Sequence, residues 1–350
     1  AGNRLITGSY DYGIKIYDFG GMDSRHKAFR AMDVEDGYPV ISIAHSSTGD
    51  RFIAGTGSCT PTVYDRDGKV IIKFVRGDMY IRDMTHTKGH VMEVTGVCWH
   101  PSDKNVIATS SLDGTVRVWD LEGEAAFGKL TSKSVLKIKS KTSSARIGAT
   151  CVCFSGDGTK VGGGAADGSI QLWTYKKVFS TRADMVFKSS SSGSSTALRG
   201  HDDGVVITSI AIAKNNNLLA SRGTDGKIIL WNLKNINNNQ TTPLRVFSDV
   251  LNVYPTANVE FSPDSTILCC GTSGDRDRGN TNAAVGSQTV TTDNSSGNKC
   301  HLVFFDIANA SSKPKATACE PLMKIGVPNV TSLICVKWQP NTNQIFCRLV

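Results

Sequence analysis

Short runs of β-branched and aromatic residues, separated by turn-forming residues, recur along the whole chain. The stretch Thr87–Asp120 shows the pattern most clearly, with apolar runs at Val94–Trp99, Val106–Ser110 and Thr115–Trp119. An Asp113-Gly114 pair separates the second and third runs, and Asp-Gly between two such runs is a strong β-hairpin signal. The stretch therefore predicts antiparallel strands joined by tight turns.

The same unit recurs along the chain. At four places an aspartate precedes an aromatic residue by six positions: Asp11 and Tyr17, Asp113 and Trp119, Asp167 and Trp173, and Asp225 and Trp231. This spacing arises when the aspartate sits in a hairpin turn and the aromatic residue lies on the returning strand. Residues 40–65 and 257–306 end on an aromatic residue followed by Asp but lack the six-residue spacing, and residues 330–350 contain only two strand-like runs. With these three, the number of units is seven. They cover residues 1–18, 40–65, 87–120, 149–173, 200–231, 257–306 and 330–350.

A repeat that opens on Gly-His and closes on Trp-Asp is typical of one four-stranded propeller blade. A single blade leaves its faces exposed, so neighbouring blades must stack to bury a core. We therefore expect residues 1–350 to form a single-domain, all-β, seven-bladed β-propeller of four-stranded antiparallel blades. The polar segment 274–299 is expected to be a flexible insertion within unit six. Unit one lacks a first strand and unit seven stops early, so we expect residues outside this sequence to complete the ring.

Two units carry the residue types of a buried hydrogen-bonded tetrad: His90, Thr109, Asp113 and Trp119 in unit three, and His201, Ser221, Asp225 and Trp231 in unit five. In such a tetrad the indole N–H donates to the hydroxyl, the hydroxyl to the histidine, and the histidine to the carboxylate. A hydrolase also uses Ser, His and Asp, but no GxSxG elbow is present and each hydroxyl lies within a strand. The histidines show no metal-ligand spacing. We expect no enzyme activity, no metal and no cofactor.

The chain is mildly basic, with 39 Lys and Arg against 31 Asp and Glu, a net charge of +8. Basic residues concentrate in the segment 129–146, which contains Lys137, Lys139 and Lys141 and no acid. Two interpretations stay open: a solvated outer strand and loop, or a basic edge that binds nucleic acid, other phosphates or an acidic partner.

Arg222 stands where a small residue is expected before a hairpin turn, and either a partner contact or a structural ion pair would explain it. The cysteines lack CxxC spacing and lie mainly in strand runs, which indicates reduced thiols. No apolar run is long enough to span a membrane, and no membrane partner is expected.

Several segments together resemble one known family: Leu5–Asp18 (LITGSYDYGIKIYD), Gly77–His90 (GDMYIRDMTHTKGH), Leu219–Gly223 (LASRG), Leu302–Asp306 (LVFFD) and Trp338–Ile345 (WQPNTNQI). Over essentially its full length the chain resembles the WD-repeat propellers. Among them it is most similar to the gastrulation-defective family. The most specific segment is the eleven residues 77–87, which no generic blade requires.

The resemblance implies a nuclear scaffold that binds other proteins and has no catalytic site. It implies association with cullin-four ubiquitin ligases through their damaged-DNA-binding adaptor, and roles in chromatin-linked ubiquitination, the DNA-damage response or pre-mRNA splicing. The candidate partner-binding residues in the sequence are Tyr80 and Arg82, within residues 77–87, together with Lys137, Lys139, Lys141 and Arg222. The best candidate for the adaptor-docking sequence W-D-x-R is Trp231-Asn232-Leu233-Lys234, in which Asn and Lys replace Asp and Arg. Trp119-Asp120-Leu121-Glu122 has an acid in place of the Arg.

Overall fold

The computed structural model describes most of the strand-forming sequence. The described residues are 4–21, 25, 27–34, 36–126, 128–140, 146–175, 179–187, 201–202, 204–233, 243–251, 253–274, 300–307, 320–328, 330–339 and 344–349. The chain divides into two compact units, residues 1–188 and residues 189–350.

The first unit contains four successive antiparallel sheets, which we call blades one to four. Blade one has three strands: β1 (Arg4–Gly8), β2 (Gly13–Asp18) and β3 (Arg30–Asp33). Blade two has four: β4 (Val40–His45), β5 (Arg51–Thr56), β6 (Thr62–Asp65) and β7 (Val70–Lys73). Blade three consists of β8 (Val94–Trp99), β9 (Val106–Ser111), β10 (Thr115–Asp120) and β13 (Ser132–Lys137), with the hairpin β11 (Ala125–Ala126) and β12 (Lys129–Leu130) inserted before its last strand. Blade four consists of β14 (Ala149–Phe154), β15 (Lys160–Ala165), β16 (Ile170–Thr174) and β17 (Met185–Phe187).

The second unit contains two further four-stranded sheets and one two-stranded sheet. Blade five consists of β18 (Ile207–Ile212), β19 (Leu218–Gly223), β20 (Ile228–Asn232) and β21 (Pro243–Phe247). Blade six consists of β22 (Val259–Phe261), β23 (Ile267–Gly271), β24 (Cys300–Asp306) and β25 (Met323–Val327). The two-stranded sheet pairs β26 (Leu333–Trp338) with β27 (Ile345–Leu349).

The predicted all-β blades are present, but the prediction of seven four-stranded blades is wrong. The described residues form six blades, of which the first has three strands. The last repeat supplies the described strands β26 and β27, which pair as a two-stranded sheet. Counting sequence units therefore overestimates the number of complete sheets. The segment 274–299 joins β23 to β24, which pair with each other; residues 275–299 lie outside the described residues.

Packing between neighbouring blades forms the core of each unit. In the first unit the rings of Phe74 from blade two and Trp119 from blade three stack with centroids 4.3 Å apart. In the second unit the tilted rings of Phe247 and Phe305 pack with centroids 4.4 Å apart and join blade five to blade six. The central strands β9, β10 and β19 are buried along most of their length. Burial of this apolar surface supplies the main driving force for stacking.

The cysteines of the described residues are free thiols, and the buried ones act as small core residues. Cys269, Cys270 and Cys300 are fully buried. Burial raises the pKa of the Cys270 thiol to about 11, so it is protonated at neutral pH. Among the described residues, no helix has the length and apolar character needed to cross a membrane.

One end of the first unit gathers the turns and the connections between blades. The amide of Val40, where blade two begins, donates to Ser9 O in the turn of blade one over 3.1 Å. The amide of Val94, where blade three begins, donates to Ser58 O in blade two over 3.1 Å. We call this end the turn end. It comprises the turns 9–12, 57–61, 112–114 and 166–169 and the connections 34–39 and 74–93.

Candidate interaction site

The tetrad side chains of blade three form one continuous hydrogen-bonded chain. Trp119 Nε1 donates to Thr109 Oγ1 over 2.8 Å, and Thr109 Oγ1 lies 2.7 Å from His90 Nε2. His90 Nδ1 lies 2.9 Å from Asp113 Oδ2. Because the Thr109 hydroxyl accepts from the indole, it donates to Nε2, which places the histidine proton on Nδ1, facing the carboxylate. This hydrogen-bonded network ties the connection that contains His90 to strand β9, to the turn at Asp113 and to strand β10.

Burial and hydrogen bonding set the charges in this tetrad. Burial lowers the pKa of His90 below its ordinary value and outweighs the opposing effect of Asp113, so the imidazole is neutral. Burial alone would raise the pKa of Asp113, but the His90 contact and hydrogen bonds from Thr115 and from the Val91 amide hold that pKa well below its ordinary value. The result is an ionised carboxylate whose lone pairs are satisfied by local donors.

Blade five contains the second tetrad with the same connections. Trp231 Nε1 donates to Ser221 Oγ over 2.9 Å, and Ser221 Oγ lies 2.9 Å from His201 Nε2. His201 Nδ1 lies 3.0 Å from Asp225 Oδ2. A Cβ atom added to Gly223 would lie 2.7 Å from His201 Nδ1 and 2.8 Å from Asp225 Oδ1. Glycine is required at this position because a methyl group would push the histidine off the carboxylate.

The other two Asp-aromatic pairs do not form tetrads in the described residues. Asp11 caps its own turn by accepting from the Gly13 amide, and its partner in sequence, Tyr17, is partly buried in β2. Asp167 likewise accepts from the Ser169 amide. Trp173 is fully buried, but its Nε1 has no hydrogen-bond partner in the part of the chain described. The position that carries the hydroxyl in the other blades is occupied by a glycine, Gly163, in blade four.

The tetrads are structural networks rather than reactive centres. Thr109 and His90 in blade three have no exposed surface, and in blade five Ser221 is equally inaccessible. A substrate therefore cannot reach the hydroxyl that a hydrolase would need as its nucleophile. Within the described ranges, no three His, Cys, Asp or Glu side chains come together in an arrangement that could hold a metal ion.

The tetrad histidine of blade three closes a loop at the turn end, Gly77–His90, which we call the lead-in loop. The Gly77 amide donates to His90 O over 2.8 Å and joins the two ends of the loop. A Cβ atom added to Gly89 would collide with Val75 O, and one added to Gly77 would collide with Gly89 O. The two chain segments at the base of the loop can approach this closely only because both residues are glycines.

A buried arginine, Arg117, holds the lead-in loop from inside. It lies in the central strand β10 and has no exposed surface. Its guanidinium donates to Met84 O and Thr87 O, each over 2.8 Å, and also to Thr87 Oγ1 and Ser132 Oγ. Burial lowers the pKa of Arg117 to about 10, which still leaves it charged at neutral pH. A charged donor that bonds backbone carbonyls fixes the path of the loop.

Two cations hold the outer side of the loop. Lys137 Nζ lies 2.5 Å from Asp83 Oδ1, and Arg146 donates to the backbone carbonyl of Arg82. The Lys137 hydrogen bond, followed by those from Thr85, holds the pKa of Asp83 well below its ordinary value. The loop is therefore held at its base, from its interior and along its outer edge.

The tip of the loop is open to solvent. Tyr80 is 88% exposed and Met79 is 56% exposed, and the backbone of Arg82 is fixed by Arg146. Large apolar side chains on a fixed backbone lose little conformational freedom when they bind, which suits them to anchor a partner. The structure thus brings the candidates Tyr80, Arg82 and Lys137 together on one loop and its support.

The predicted basic edge is partly neutralised by acids distant in sequence. Lys133 Nζ lies 2.8 Å from Asp120 Oδ2, and Lys137 is paired with Asp83. Lys139 is exposed, while its backbone amide and carbonyl are bound by the side chain of Gln171. Lys141 lies outside the described residues. Carboxylates that pair with the lysines compete with phosphate, so the contacts favour a structural role for this edge.

The expectation of a partner contact or an ion pair for Arg222 is wrong. The side chain is 1% exposed and its guanidinium donates to Asn258 O over 2.8 Å, Gly271 O over 2.6 Å and Leu251 O over 3.5 Å. Burial lowers the pKa of Arg222, and backbone carbonyls rather than a carboxylate receive its N–H groups. Arg222 thus joins blade five to blade six, as Arg117 joins blade three to the lead-in loop.

The comparisons with known proteins agree with this geometry. The family model described as WD domain, G-beta repeat matches residues 82–120, 133–174 and 192–232. The chain is 32% identical over 345 residues to WD repeat-containing protein 70 of Xenopus tropicalis, covering 99% of this chain and 47% of the relative. The chain is a WD-repeat protein homologous to the gastrulation-defective proteins. It is 34% identical over 274 residues to the gastrulation defective protein 1 homolog of Drosophila melanogaster, covering 78% of this chain and 38% of the relative.

A human relative gives the same result. WD repeat-containing protein 70 of Homo sapiens is 34% identical over 273 residues, covering 78% of this chain and 38% of that protein. This WD-repeat chain thus spans less than half of the length of these curated relatives. Its fold is similar to that of the crystal structure of the Cps50 (Swd1) β-propeller domain of Myceliophteria thermophila, with a TM-score of 0.64 and 13% sequence identity, covering 99% of this chain and 89% of that one. The fold is therefore an all-β propeller.

Sequence reasoning did not single out Arg117, although the strand that contains it gives a signal. The run Thr115–Asp120 reads TVRVWD, so one arginine interrupts an otherwise apolar central strand. A charged residue at such a position must be exposed or fully paired. Its carbonyl partners Met84 and Thr87 lie about thirty residues away in sequence, so only the folded chain identifies them.

Proposed function

We propose that this WD-repeat chain is a non-catalytic scaffold that binds other proteins through the turn end of its first unit. WD-repeat propellers generally act as protein-binding scaffolds. The observation that supports the proposal best is the lead-in loop, whose exposed Met79 and Tyr80 project from a backbone fixed by Arg117. A loop held this firmly pays little ordering cost when a partner docks.

We further propose that the scaffold works in the nucleus, in chromatin-linked ubiquitination, the DNA-damage response or pre-mRNA processing. The similarity to gastrulation-defective proteins supports this assignment. Direct docking of a cullin-four adaptor through Trp231-Asn232-Leu233-Lys234 is not part of the proposal, because the sequence lacks the Asp-Arg pair of the docking box. Ligase association would then pass through another protein bound at the turn end.

Affinity capture from nuclear extract followed by quantitative mass spectrometry tests the proposal. Three forms are compared: the unaltered chain, Tyr80→Ser, and the control Tyr175→Ser. Tyr175 is 48% exposed but follows β16 at the end away from the turns. We expect a set of ligase or splicing components to be retained by the unaltered chain and by Tyr175→Ser, and to be depleted by Tyr80→Ser. Recovery of neither ligase nor splicing components would refute the nuclear assignment, and equal recovery by all three forms would refute the role of the loop.

A further inference from the structure

Three exposed tyrosines lie together at the turn end of blades one and two, apart from the lead-in loop. Tyr10 and Tyr12 are 49% and 48% exposed on the turn of blade one, and Tyr38 is 49% exposed on the connection that follows. Two hydrogen bonds join these segments. The Val34 amide donates to Tyr12 O over 3.0 Å, and the Val40 amide donates to Ser9 O over 3.1 Å. The connection that carries Tyr38 is thus tied at both ends to the turn that carries the other two tyrosines.

Tyr12 adopts a backbone conformation that other blades reserve for glycine. In blades three, four and five the turn aspartate is followed by Gly114, Gly168 and Gly226, with φ of 80°, 78° and 68°. In blade one Tyr12 occupies this position with φ of 69°. The left-handed region is disfavoured for a residue with a bulky side chain, at a cost of roughly 1–2 kcal/mol. The turn therefore presents an aromatic ring to solvent where glycine would be the more stable choice.

Carboxylates surround the tyrosines. Asp11 lies between two of them in the turn, Asp33 is exposed and pairs with Gly13 at the end of β3, and Asp36 lies two residues before Tyr38. Hydrogen bonds from Ser9 and from the Gly13 amide hold the pKa of Asp11 below its ordinary value, so it is ionised. Two lysines lie nearby: Lys15 near Asp11, and Lys73, whose Nζ is 3.9 Å from Asp36 Oδ1. Asp36 is only 20% exposed and is paired with Lys73, so Asp11 and Asp33 are the exposed carboxylates beside the tyrosines.

We propose that Tyr10, Tyr12 and Tyr38, with Asp11 and Asp33, form a docking surface for a lysine- or arginine-rich segment of a partner protein. A cation over an aromatic face is attracted by the ring quadrupole, and an adjacent carboxylate adds a charge-assisted hydrogen bond. Guanidinium groups also stack on aromatic rings, so arginine suits the surface better than lysine. Nucleic acid does not suit it, because phosphates would meet carboxylates. The proposal is independent of the lead-in loop, since it rests on blades one and two and on a different chemistry.

Fluorescence anisotropy tests the proposal with a fluorescein-labelled peptide of alternating arginine and glycine. In a matched peptide citrulline replaces arginine, which keeps the shape and removes the charge. We expect the chain to bind the arginine peptide and to bind the citrulline peptide much more weakly. Tyr12→Gly should lower the affinity on the order of two- to five-fold, because one cation–π contact contributes about 0.5–1 kcal/mol at an exposed site. Tyr175→Ser should leave the affinity unchanged.

Tyr12→Gly separates loss of binding from loss of fold. Glycine suits the left-handed φ at this turn, so the melting temperature of the variant should stay equal to that of the unaltered chain or rise. A triple variant, Tyr10→Ser, Tyr12→Gly and Tyr38→Ser, should lose most of the binding. The proposal is overturned if the arginine peptide does not bind, if the citrulline peptide binds equally well, or if the triple variant binds as the unaltered chain does.

Discussion

Removal of the tetrad histidine of blade three should destabilise the first unit. His90→Ala deletes a buried imidazole that lies 2.9 Å from Asp113 Oδ2 and 2.7 Å from Thr109 Oγ1. Asp113 keeps three donors, the Val91 amide and the amide and hydroxyl of Thr115. The carboxylate is therefore not stranded without partners, which limits the loss.

The magnitude follows from these contacts. A hydrogen bond to a charged group contributes about 1.5–3 kcal/mol and a neutral one about 1 kcal/mol. Loss of both bonds and of the packed ring should lower the free energy of unfolding by about 4 kcal/mol in total. For a unit of this size roughly 2–4 °C is lost per kcal/mol, so the melting temperature should fall by roughly 8–16 °C. His90→Asn should lose less, because its amide can still donate to Asp113.

Differential scanning calorimetry and urea denaturation measure both effects. The matched control is His86→Ala, since the His86 side chain is 75% exposed and its removal should change stability by less than about 0.5 kcal/mol. A His90→Ala midpoint within experimental error of the His86→Ala midpoint would refute the assignment of the tetrad as a structural network.

The same histidine predicts a pH dependence. Burial holds the pKa of His90 below its ordinary value of 6.5, so the unfolded chain takes up a proton near pH 6.5 while the folded chain does not. The unfolded state then binds more protons, and stability must fall as the pH drops below 6.5. The urea midpoint of the unaltered chain should therefore decrease from pH 7 to pH 5 more steeply than that of His90→Asn. Equal slopes would contradict a neutral buried imidazole.

Three further variants test single contacts. Arg117→Ala should free the lead-in loop from its carbonyl anchors, so protease cleavage and amide hydrogen exchange should increase there; unchanged protection would contradict the anchoring role. Gly223→Ala should destabilise the second unit by more than about 1 kcal/mol in a urea melt, because its methyl group would displace the blade-five tetrad, whereas Gly21→Ala, with no atom within 4 Å of the added carbon, should be close to neutral. Tyr12→Gly should raise the melting temperature if the left-handed turn is strained, and a lower value would show that the tyrosine ring itself stabilises blade one.

The sequence predicted the parts of the fold that depend on local pattern. The turn signals and the runs of apolar residues indicated the first three strands of blades two to six but not the fourth strands, and the spacing of His90, Asp113 and Trp119 anticipated contacts that the folded chain makes. These features need only a few neighbouring residues to specify them. Their geometry is similar from blade to blade, so one clear repeat serves as a template for weaker ones.

The features that the sequence missed depend on residues far apart in the chain. Arg117 bonds carbonyls about thirty residues away, and Lys137 pairs with Asp83 at a separation of 54 residues. The carbonyl acceptors of Arg222, Asn258 O and Gly271 O, lie 36 and 49 residues away in the sequence. The sequence therefore could not show that its side chain is used within the fold. The predicted blade count was wrong because the first and last units contribute three and two described strands rather than four. The exposure of Tyr80 likewise depends on how the loop is held.

Site-specific photo-crosslinking tests most directly whether the lead-in loop is the interaction surface. A benzophenone amino acid replaces Tyr80 in one form of the chain and Tyr175, at the opposite end of blade four, in a second form. After irradiation in nuclei, crosslinked proteins are identified by mass spectrometry. We expect a small, reproducible set of proteins to be crosslinked from position 80 and to be absent from position 175. The same proteins from both positions, or none from position 80, would contradict the proposal that this WD-repeat chain binds its partners through the lead-in loop.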